Sequence, residues 1–436
     1  MYRETAGLVM YGQLGKDSIL MKLGSLVEKM EHDDSYSREE LVRAIYDEVY
    51  RLLDLSTTYG FDNNLWQCYI AYLLATTENP FSILCETVGA SKDGTVNEIV
   101  KQDMEHFYHL FHYDFSAMEK KLGVACFETL THYHSMAKAE NTYNKSVSEK
   151  VRDLASQLCE AKNGEDFFDI VTAFYKRYGV GKFGLNKAFR VVHTGDEMVL
   201  SPITHTSDVT LDELIGYELQ KKQLVENTEA FVEGRRANNC LLFGDSGTGK
   251  STCIKAILNQ YYEKGLRLIE VYKHQFQDLS AIIETIKNRN YKFIIYMDDL
   301  SFEEFEIEYK YLKAVIEGGM EVRPDNVLIY ATSNRRHLIR ETWSDRSDMS
   351  NDELHRSDTM QEKLSLVARF GVSINFSKPS KKHFDAIILG LAKAHPEITL
   401  SEEELLMQAN AWSIRNGGYS GRVAEQFIIH LQSLVK

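Results

Sequence analysis

The sequence predicts an α/β protein in which a parallel sheet flanked by helices follows an all-α N-terminal domain and precedes a small helical lid. Three observations support this fold class. Up to about residue 200, apolar residues recur every three or four positions, as in amphipathic helices. Short β-branched runs then alternate with helical segments, which is typical of parallel sheets. Beyond Pro379 the helical spacing returns, so we expect domains at residues 1–200, 206–378 and 379–436.

The N-terminal helices carry one explicit start signal. Ser37 and Glu40 form a capping box ahead of the amphipathic run LVRAIYDEVYRLL. Helical periodicity also occurs in NNLWQCYIAYLLATT, TVNEIVKQDMEHFYHLFHYDF and NKSVSEKVRDLASQLCEAK. The segment from Lys187 to Asp208 is less periodic and contains Pro202, so we place the domain boundary there.

The central domain contains five predicted strands, which are the short apolar runs NCLLF, LRLIEVY, YKFIIYM, NVLIYAT and VSINF. The helices between them have predicted ends. The helix that opens at Lys250 is expected to end at Gly265, and the run YKYLKAVIEGG at Gly318 and Gly319. A second capping box begins at Ser401 in the C-terminal segment.

The composition is that of a soluble globular protein, with 436 residues, 44% hydrophobic and 26% charged. The formal charge of −14 opposes sequence-independent nucleic-acid binding, which requires clustered Lys and Arg. Six cysteines occur without a C-x-x-C pair, which favours free thiols in a reducing compartment. Because the N-terminus lacks an apolar signal core and no long apolar span follows, we expect a cytoplasmic protein without membrane segments.

A glycine-rich stretch, GDSGTGKST, follows the first predicted strand and opens a helix. It matches G-x-x-x-x-G-K-[ST] in the context that this pattern requires, although a plain turn between a strand and a helix is the alternative. Backbone N–H groups of such a loop surround phosphate oxygens, and the helix N-terminus adds partial positive charge. We expect Lys250 to reach the β- and γ-phosphates and Ser251 to ligate Mg²⁺. The predicted nucleotide-binding residues here are Gly244, Asp245, Ser246, Gly247, Thr248, Gly249, Lys250, Ser251 and Thr252.

Two further strands end in polar residues that suit the same site. Asp298 and Asp299 follow YKFIIYM, at the edge where ligands bind in open α/β sheets. We expect Asp298 to hold Mg²⁺ and Asp299 to polarise the attacking water, although a solvated acidic turn would have the same sequence. Asn334 follows NVLIYAT, where a side-chain amide could orient that water.

Two arginines occur later in the chain. Arg369, in EKLSLVARFG, lies just before the fifth strand. Arg422, in GGYSGRVAEQF, lies in the first turn of a helix that we expect Ser420 to cap. Taken alone, each is an ordinary surface arginine.

In this order the motifs resemble the AAA+ superfamily of P-loop ATPases over about half of the chain. The resemblance implies an ATP site in which Ile215 and Gly216, in LDELIGYELQ, contact the adenine. It also implies a sensor-1 role for Asn334, an arginine-finger role for Arg369 and a sensor-2 role for Arg422. More narrowly, DDLSFEE, LKAVIEGG, PDNVLIYATSNRRHL and EKLSLVARFG are similar to a bacterial family of AAA+-like ATPases catalogued as a domain of unknown function, family 815.

The sequence departs from the AAA+ pattern at two places. Asp299 stands where a glutamate is usual, and its side chain is one methylene shorter, so slow hydrolysis is one expectation. The loop KHQFQDLSAI lacks the aromatic, aliphatic and glycine triplet of protein-threading rings. Phe276 is the one obvious substitute there, which argues against an unfoldase.

Two other patterns give weaker hypotheses. His106, His109 and His112 recur every three residues, a step that drifts around a helix and places them poorly for one metal ion. The segment GLNKAF lacks the Asp of a guanine-specifying motif and precedes the phosphate loop, which argues against a GTPase.

We therefore expect an ATPase that binds Mg-ATP between sheet and lid and couples hydrolysis to remodelling or assembly of a protein partner held by the N-terminal helices. An arginine finger acting in trans requires a homo-oligomer, either a ring or a head-to-tail dimer. Two alternatives stay open: a slowly hydrolysing ATP-binding switch or scaffold, motivated by Asp299, and a helicase-loader-like ATPase, against which the net charge counts. A small-molecule kinase is disfavoured because the C-terminal segment resembles a lid and no acceptor site is evident.

Overall fold

The structure, a computed structural model, describes most of the chain. The described residues are 1–32, 36–90, 94–135, 144–195, 197–302, 308–317, 324–334, 338 and 366–434. They form two compact units, Met1–Asn186 and Lys187–Lys436. Each unit has its own hydrophobic core.

The first unit is all-α, which confirms the prediction for this part of the chain. Eleven helices, α1 to α11, lie within its described residues: Tyr2–Gly7, Ile19–His32, Arg38–Tyr59, Leu65–Thr76, Pro80–Val88, Thr95–Phe111, Ser116–Leu122, Cys126–Thr131, Lys145–Cys159, Gly164–Tyr178 and Gly181–Leu185. The three predicted runs after the capping box correspond to α4, α6 and α9. The capping box itself forms at the start of α3, where Ser37 and Glu40 each accept the other's backbone N–H.

Helix α4 lies at the centre of this unit. Nine of its twelve residues are buried, so it lacks the polar stripe of a surface helix. It packs against α3, α6, α9 and α10. The Trp66 indole N–H donates to the carbonyl of Leu110 over 2.7 Å, which gives this buried ring a hydrogen-bond partner.

A buried carboxylate fixes the chain between α1 and α2. Asp103, on α6, is fully buried. Its two oxygens accept hydrogen bonds from the backbone N–H groups of Val9, Met10 and Tyr11 at 2.8 to 3.0 Å. The backbone therefore supplies the hydrogen bonds that a buried carboxylate needs.

The three histidines at the C-terminal end of α6 face different neighbours. His106 Nδ1 lies 2.7 Å from a carboxylate oxygen of α1, and His109 Nε2 lies 3.4 Å from one on α6 itself. His112 Nδ1 lies 3.0 Å from a backbone carbonyl. Among the residues that the structure describes, no group of three or more His, Cys, Asp or Glu side chains is arranged to hold a metal.

The second unit contains a seven-stranded sheet in the order β2-β1-β4-β5-β6-β3-β7. The strands β1 to β7 are Ala188–Thr194, Glu197–Pro202, Cys240–Gly244, Leu266–Glu270, Lys292–Met297, Val327–Ser333 and Val372–Phe376. All neighbours are parallel except β2, which is antiparallel to β1. Strands β3 to β7 are the five predicted strands, so the α/β fold class is confirmed.

Strands β1 and β2 come from the segment that we expected to be the domain boundary. Residues Ala188–Arg190 pair with β4, and the second unit begins at Lys187. The physical reason why periodicity missed this hairpin is its partial burial, since only the first half of β1 is covered. A half-covered strand needs no continuous apolar run.

Seven helices, α12 to α18, lie in the described part of this unit: Glu218–Val232, Lys250–Tyr261, Leu279–Ile286, Glu308–Glu317, Lys381–Lys393, Glu402–Arg415 and Gly421–Leu434. Helix α13 ends at Tyr261, and a 3₁₀ turn, Tyr262–Lys264, precedes Gly265, so the α-helix is one turn shorter than predicted. The predicted stop at Gly318 and Gly319 lies outside the described residues.

Helices α16 to α18 form a lid with its own apolar core, which includes Phe384, Ile388 and Phe427. The predicted capping box of Ser401 and Glu404 forms at the start of α17. No helix in the described part of the chain combines the length and the hydropathy needed to cross a membrane.

The sheet brings the ends of three strands together. Strand β3 lies beside β6, and β6 beside β5, all parallel, so their carboxyl ends meet at one edge. In the register of these strands, Leu242 lies opposite Thr332 and Met297 opposite Ala331. The glycine loop after β3 and the polar residues after β5 and β6 therefore share this edge.

Candidate functional site

The glycine loop connects β3 to α13, and two of its glycines adopt backbone conformations that other residues rarely adopt. Gly244 has φ +130°, and a Cβ there would lie 2.3 Å from the carbonyl oxygen of Phe376. Gly249, directly before α13, has φ +90°. Both values lie in the region that favours glycine. The loop thus ends with the N-terminus of α13 directed at the edge of the sheet.

Lys250 lies across this loop. Its side chain is buried, with 6% exposure. The ammonium donates to the carbonyls of Gly244 and Asp245 at 3.0 and 2.6 Å, and to Oδ1 of Asn334 at 3.2 Å. Burial lowers the pKa of Lys250, and the neighbouring aspartates oppose that effect. The Lys250 ammonium is therefore held at the loop by neutral oxygen atoms, and an anion could take their place as its partner.

Asp298 receives two hydroxyl hydrogen bonds on one oxygen. Ser251 Oγ, on α13, donates to Oδ1 over 2.7 Å, and Thr332 Oγ1, on β6, donates to the same atom over 2.5 Å. Burial alone would raise the pKa of Asp298, but hydrogen bonds, with that from Thr332 the strongest, hold the pKa below its ordinary value. This carboxyl group is therefore kept ionised.

Asp299 has an unusual backbone. Its φ of +50° is left-handed, which Asp and Asn tolerate better than most residues. Its N–H donates to Thr332 Oγ1 over 2.9 Å, and its Oδ1 accepts from Asn334 Nδ2 over 2.7 Å. Asn334 thus joins Lys250 to Asp299. The left-handed conformation gives a physical reason for an aspartate here where the AAA+ pattern has glutamate.

Tyr296 lies behind this group, on β5. Its side chain is 2% exposed, and its hydroxyl has no hydrogen-bond partner among the residues that the structure describes. Burial, and then the charge of Asp298, raise the pKa of Tyr296. This tyrosine is neutral and enclosed.

The lid and the residue just before it each contact the glycine loop. The backbone N–H of Arg422 donates to the carbonyl of Gly247 over 3.2 Å. Asp245 Oδ2 accepts from the backbone N–H of Lys378, just before the lid, over 2.7 Å. Ser420 Oγ accepts from the N–H of Val423, as expected for a residue that caps α18.

A cavity of about 670 Å³ lies between the sheet edge, the loop and the lid. Its apolar part comes from residues before α12 and from α16, namely Val209, Leu214, Ile215, Ile387 and Leu391. Its polar part comes from the loop, the strand ends and α18. Those residues are Ser246, Gly247, Thr248, Gly249, Lys250, Ser251, Thr252, Asp298, Asp299, Thr332, Asn334, Arg422 and Glu425.

Most of the predicted site residues line this cavity, including Ile215, Asn334 and Arg422. Gly216 and Asp245 lie next to lining residues in the chain, but these two residues and Gly244 are not part of the cavity wall. Arg369 lies elsewhere. It precedes β7, and β7 runs parallel to β3, so Arg369 lies at the opposite edge of the sheet from the loop.

Phe276, which was the one candidate for a substrate-threading loop, is buried at 1% exposure against Phe302. That position does not present its ring to a substrate.

Several lining residues were missed by the sequence reasoning. Thr332 lies at the end of the predicted strand NVLIYAT, but its bonds to both aspartates were not expected. A signal existed, since Thr332 is two positions before Asn334 and a strand places such residues on one face. The apolar residues Leu214, Ile387 and Leu391 gave no signal, because their shared cavity exists only in the folded chain.

The oxygen groups around Asp298 suit a magnesium ion. Mg²⁺ is usually held by one or two carboxylates together with waters and substrate phosphates. Asp298 offers the carboxylate and Ser251 a hydroxyl, and the buried, unpartnered hydroxyl of Tyr296 lies beside them. The donor set therefore fits the ion that the resemblance implies.

The chain was compared with known protein families, curated proteins and solved structures. A family of proteins of unknown function, DUF815, matches residues 185–434, which is more than half of the chain. No match was found among the curated proteins.

Similar solved structures include the RuvB Holliday junction branch migration motor of Thermotoga maritima, at 18% identity and a TM-score of 0.34, covering 49% of this chain and 61% of that one. An alanine-to-serine RuvB mutant has 20% identity and a TM-score of 0.35, covering 49% and 62%. The chain thus spans about three fifths of the length of these two RuvB structures. By its sequence match the chain belongs to the DUF815 family.

Proposed function

We propose that this protein is a Mg-ATP-binding ATPase whose site is the cavity between the sheet edge and the lid. The observation that carries the proposal is the convergence of Lys250, Ser251 and Asp298 on one cavity that Arg422 reaches from the lid. A volume of about 670 Å³ is within the range of ligand sites. Loop and lid residues there supply positive charge, and the apolar part suits a planar base.

The phosphates would lie over the glycine loop. The backbone N–H groups before α13 and the dipole of this helix favour an anion. Lys250 Nζ now contacts two carbonyls and an amide oxygen, and a phosphate oxygen is a stronger partner for an ammonium than any of these. Arg422 would contact the γ-phosphate from the lid.

The metal would lie beside Ser251 and Asp298. When bound, Mg²⁺ would neutralise phosphate charge and orient the γ-phosphate for displacement. The carboxylate of Asp299 would accept a hydrogen bond from the attacking water. Asn334 would fix Asp299 and the water relative to Lys250, because its amide already contacts both side chains.

The base would occupy the apolar part of the cavity, against Leu214, Ile215 and Leu391. Ile215 packs tightly on the lid, since a Cβ added to Gly390 would lie 2.1 Å from its Cδ1. Gly216, with φ +84°, would let the chain turn around the base. Base binding would therefore involve the lid directly.

Release of phosphate from ATP tests the proposal. Lys250→Ala should lower the rate at least about 100-fold, because a positioned charge is lost. Lys255→Ala is the matched control, since this exposed lysine lies on the same helix. Equal rates for wild type and both variants, without stabilisation by Mg-ATP, would exclude an ATPase.

Arg369 supports an oligomeric form of the same proposal. Because it lies at the opposite sheet edge from its own loop, it would reach an ATP only in a neighbouring subunit. Lys250→Ala and Arg369→Ala should each be inactive and should recover activity when mixed, because mixed interfaces combine an intact loop with an intact arginine. An obligate monomer with full activity would exclude this role.

A second candidate function is an ATP-binding switch or scaffold that hydrolyses little. The observation that favours it is the hydrogen bond that already engages Asp299 with Asn334, on a side chain one methylene shorter than glutamate. The switch would be favoured if the wild-type protein binds ATP but releases phosphate no faster than Lys250→Ala does.

The partner of either form would bind the helical N-terminal unit. Asp299→Asn should retain ATP while blocking hydrolysis, so partners that copurify with it and are lost from Lys250→Ala would be candidates for remodelling or assembly. Partners retained equally by both variants would contradict ATP-dependent binding.

A further inference from the structure

The Tyr296 hydroxyl is a polar group that the fold itself does not use. Tyr296 is 2% exposed, and it is the only tyrosine among the described residues whose buried hydroxyl lacks a hydrogen-bond partner. Leaving a buried hydroxyl unpaired destabilises a fold. A phenylalanine would fill the same apolar space without that cost, so the hydroxyl requires an explanation.

The neighbouring strand provides an internal comparison. Tyr330, on β6, is the register partner of Tyr296, and both rings belong to the core beneath α13. The Tyr330 hydroxyl lies 2.9 Å from Thr228 Oγ1 and accepts from Asn227 Nδ2 over 3.0 Å. The two tyrosines lie opposite each other on neighbouring strands, but α12 provides hydrogen-bond partners only for the hydroxyl of Tyr330.

Three side chains that carry oxygen atoms interact with the Tyr296 hydroxyl. The side chains of Ser251, Asp298 and Thr332 lie close enough to interact with it, but none makes a well-formed hydrogen bond to it. Ser251 and Thr332 direct their protons to Asp298 Oδ1. An apolar ligand does not match such surroundings, whereas a hydrated cation does.

From this geometry we propose that Tyr296 is a positioning residue for the magnesium site. Its hydroxyl accepts a hydrogen bond from a water on the metal and donates its own proton to the Asp298 carboxylate. Water on Mg²⁺ needs acceptors for its protons, and the partners of such waters tune metal affinity. The inference rests on the proposed function, because it assumes that Ser251 and Asp298 hold the ion.

Metal affinity tests this role without relying on activity. Mg²⁺ is titrated into wild type, Tyr296→Phe and Tyr330→Phe in the presence of a fluorescent ADP, which no hydrolysis can alter. Tyr296→Phe should raise the Mg²⁺ concentration for half-maximal effect about tenfold, as loss of a group that orients a metal ligand does. ADP binding in EDTA should be unchanged.

Tyr330→Phe is the matched control. It should keep the wild-type Mg²⁺ dependence and lower the thermal stability of the metal-free protein, because Thr228 and Asn227 lose a buried partner. Tyr296→Phe should not lower that stability, since its hydroxyl makes no well-formed hydrogen bond in the metal-free protein.

Three results would overturn the inference. They are an unchanged Mg²⁺ dependence in Tyr296→Phe, an equal shift in Tyr330→Phe, and a loss of metal-free stability in Tyr296→Phe. Failure of the proposed function looks different, because wild type would then bind neither ADP nor Mg-ADP.

Discussion

The two units hold their aspartates in opposite ways. In the helical unit, Asp103 is fully buried and accepts three backbone N–H groups, from Val9, Met10 and Tyr11. In the α/β unit, Asp298 lines a cavity and accepts from two side-chain hydroxyls, on Ser251 and Thr332. Backbone donors cannot leave without unfolding the segment, whereas a hydroxyl can turn its proton towards another acceptor. The difference separates a carboxylate that maintains the fold from one that is available to a ligand.

The largest expected effect is at Asp103. Asp103→Ala leaves the backbone donors near Tyr11 without their acceptor, and we expect the unfolding free energy to fall by about 3–5 kcal/mol. Urea unfolding followed by circular dichroism measures the loss. Asp103→Asn keeps one accepting oxygen and should lie between wild type and the alanine variant. An alanine variant as stable as wild type would remove the basis of the comparison.

Asp298 should behave in the opposite way. Asp298→Ala should change the stability of the metal-free protein by less than about 1 kcal/mol, because the carboxylate is solvent-accessible. The same change should abolish the additional thermal stabilisation that Mg²⁺ gives to the ADP complex. A large loss of metal-free stability would instead place Asp298 with Asp103, as a residue of the fold.

The smallest effect concerns pH. Ser251→Ala removes one donor to Asp298, so the depressed pKa of that carboxyl should move up towards its ordinary value. A depressed pKa gives stability that is present above the ordinary pKa of aspartate and is lost as pH falls through the folded-state value. In the metal-free proteins, the unfolding free energy of wild type should therefore exceed that of Ser251→Ala by less than about 1 kcal/mol at neutral pH. In acid the two unfolding free energies should be equal. Urea unfolding at both pH values measures this, and a difference that persists in acid would mean that the charge of Asp298 is not involved.

The sequence predicted those parts of the site that depend on local pattern. The glycine loop could be identified because positive φ at Gly244 and Gly249 requires residues without a side chain, and Asp298 because ligands bind at strand ends. The hairpin of β1 and β2 was not predicted, because its burial is partial.

The roles of Thr332 and Tyr296 were not predictable in the same way. Each residue lies within an apolar run that predicts a strand, and nothing in that run indicates a role in the site. What distinguishes them is the position of Asp298 in three dimensions, together with a partner that Tyr330 has and Tyr296 lacks.

The hydrogen bonds that join the glycine loop to the lid and to the residue just before it have a thermodynamic consequence. The Asp245 carboxylate accepts from the backbone of Lys378, and the Gly247 carbonyl accepts from that of Arg422. A ligand that displaces the loop and so breaks or strengthens these bonds changes the free energy that holds the lid in its present position. By reciprocity, whatever holds the lid in one position must alter the affinity of the loop by an equal factor. A protein that binds only the lid would therefore change the affinity of the loop for its ligand without entering the cavity.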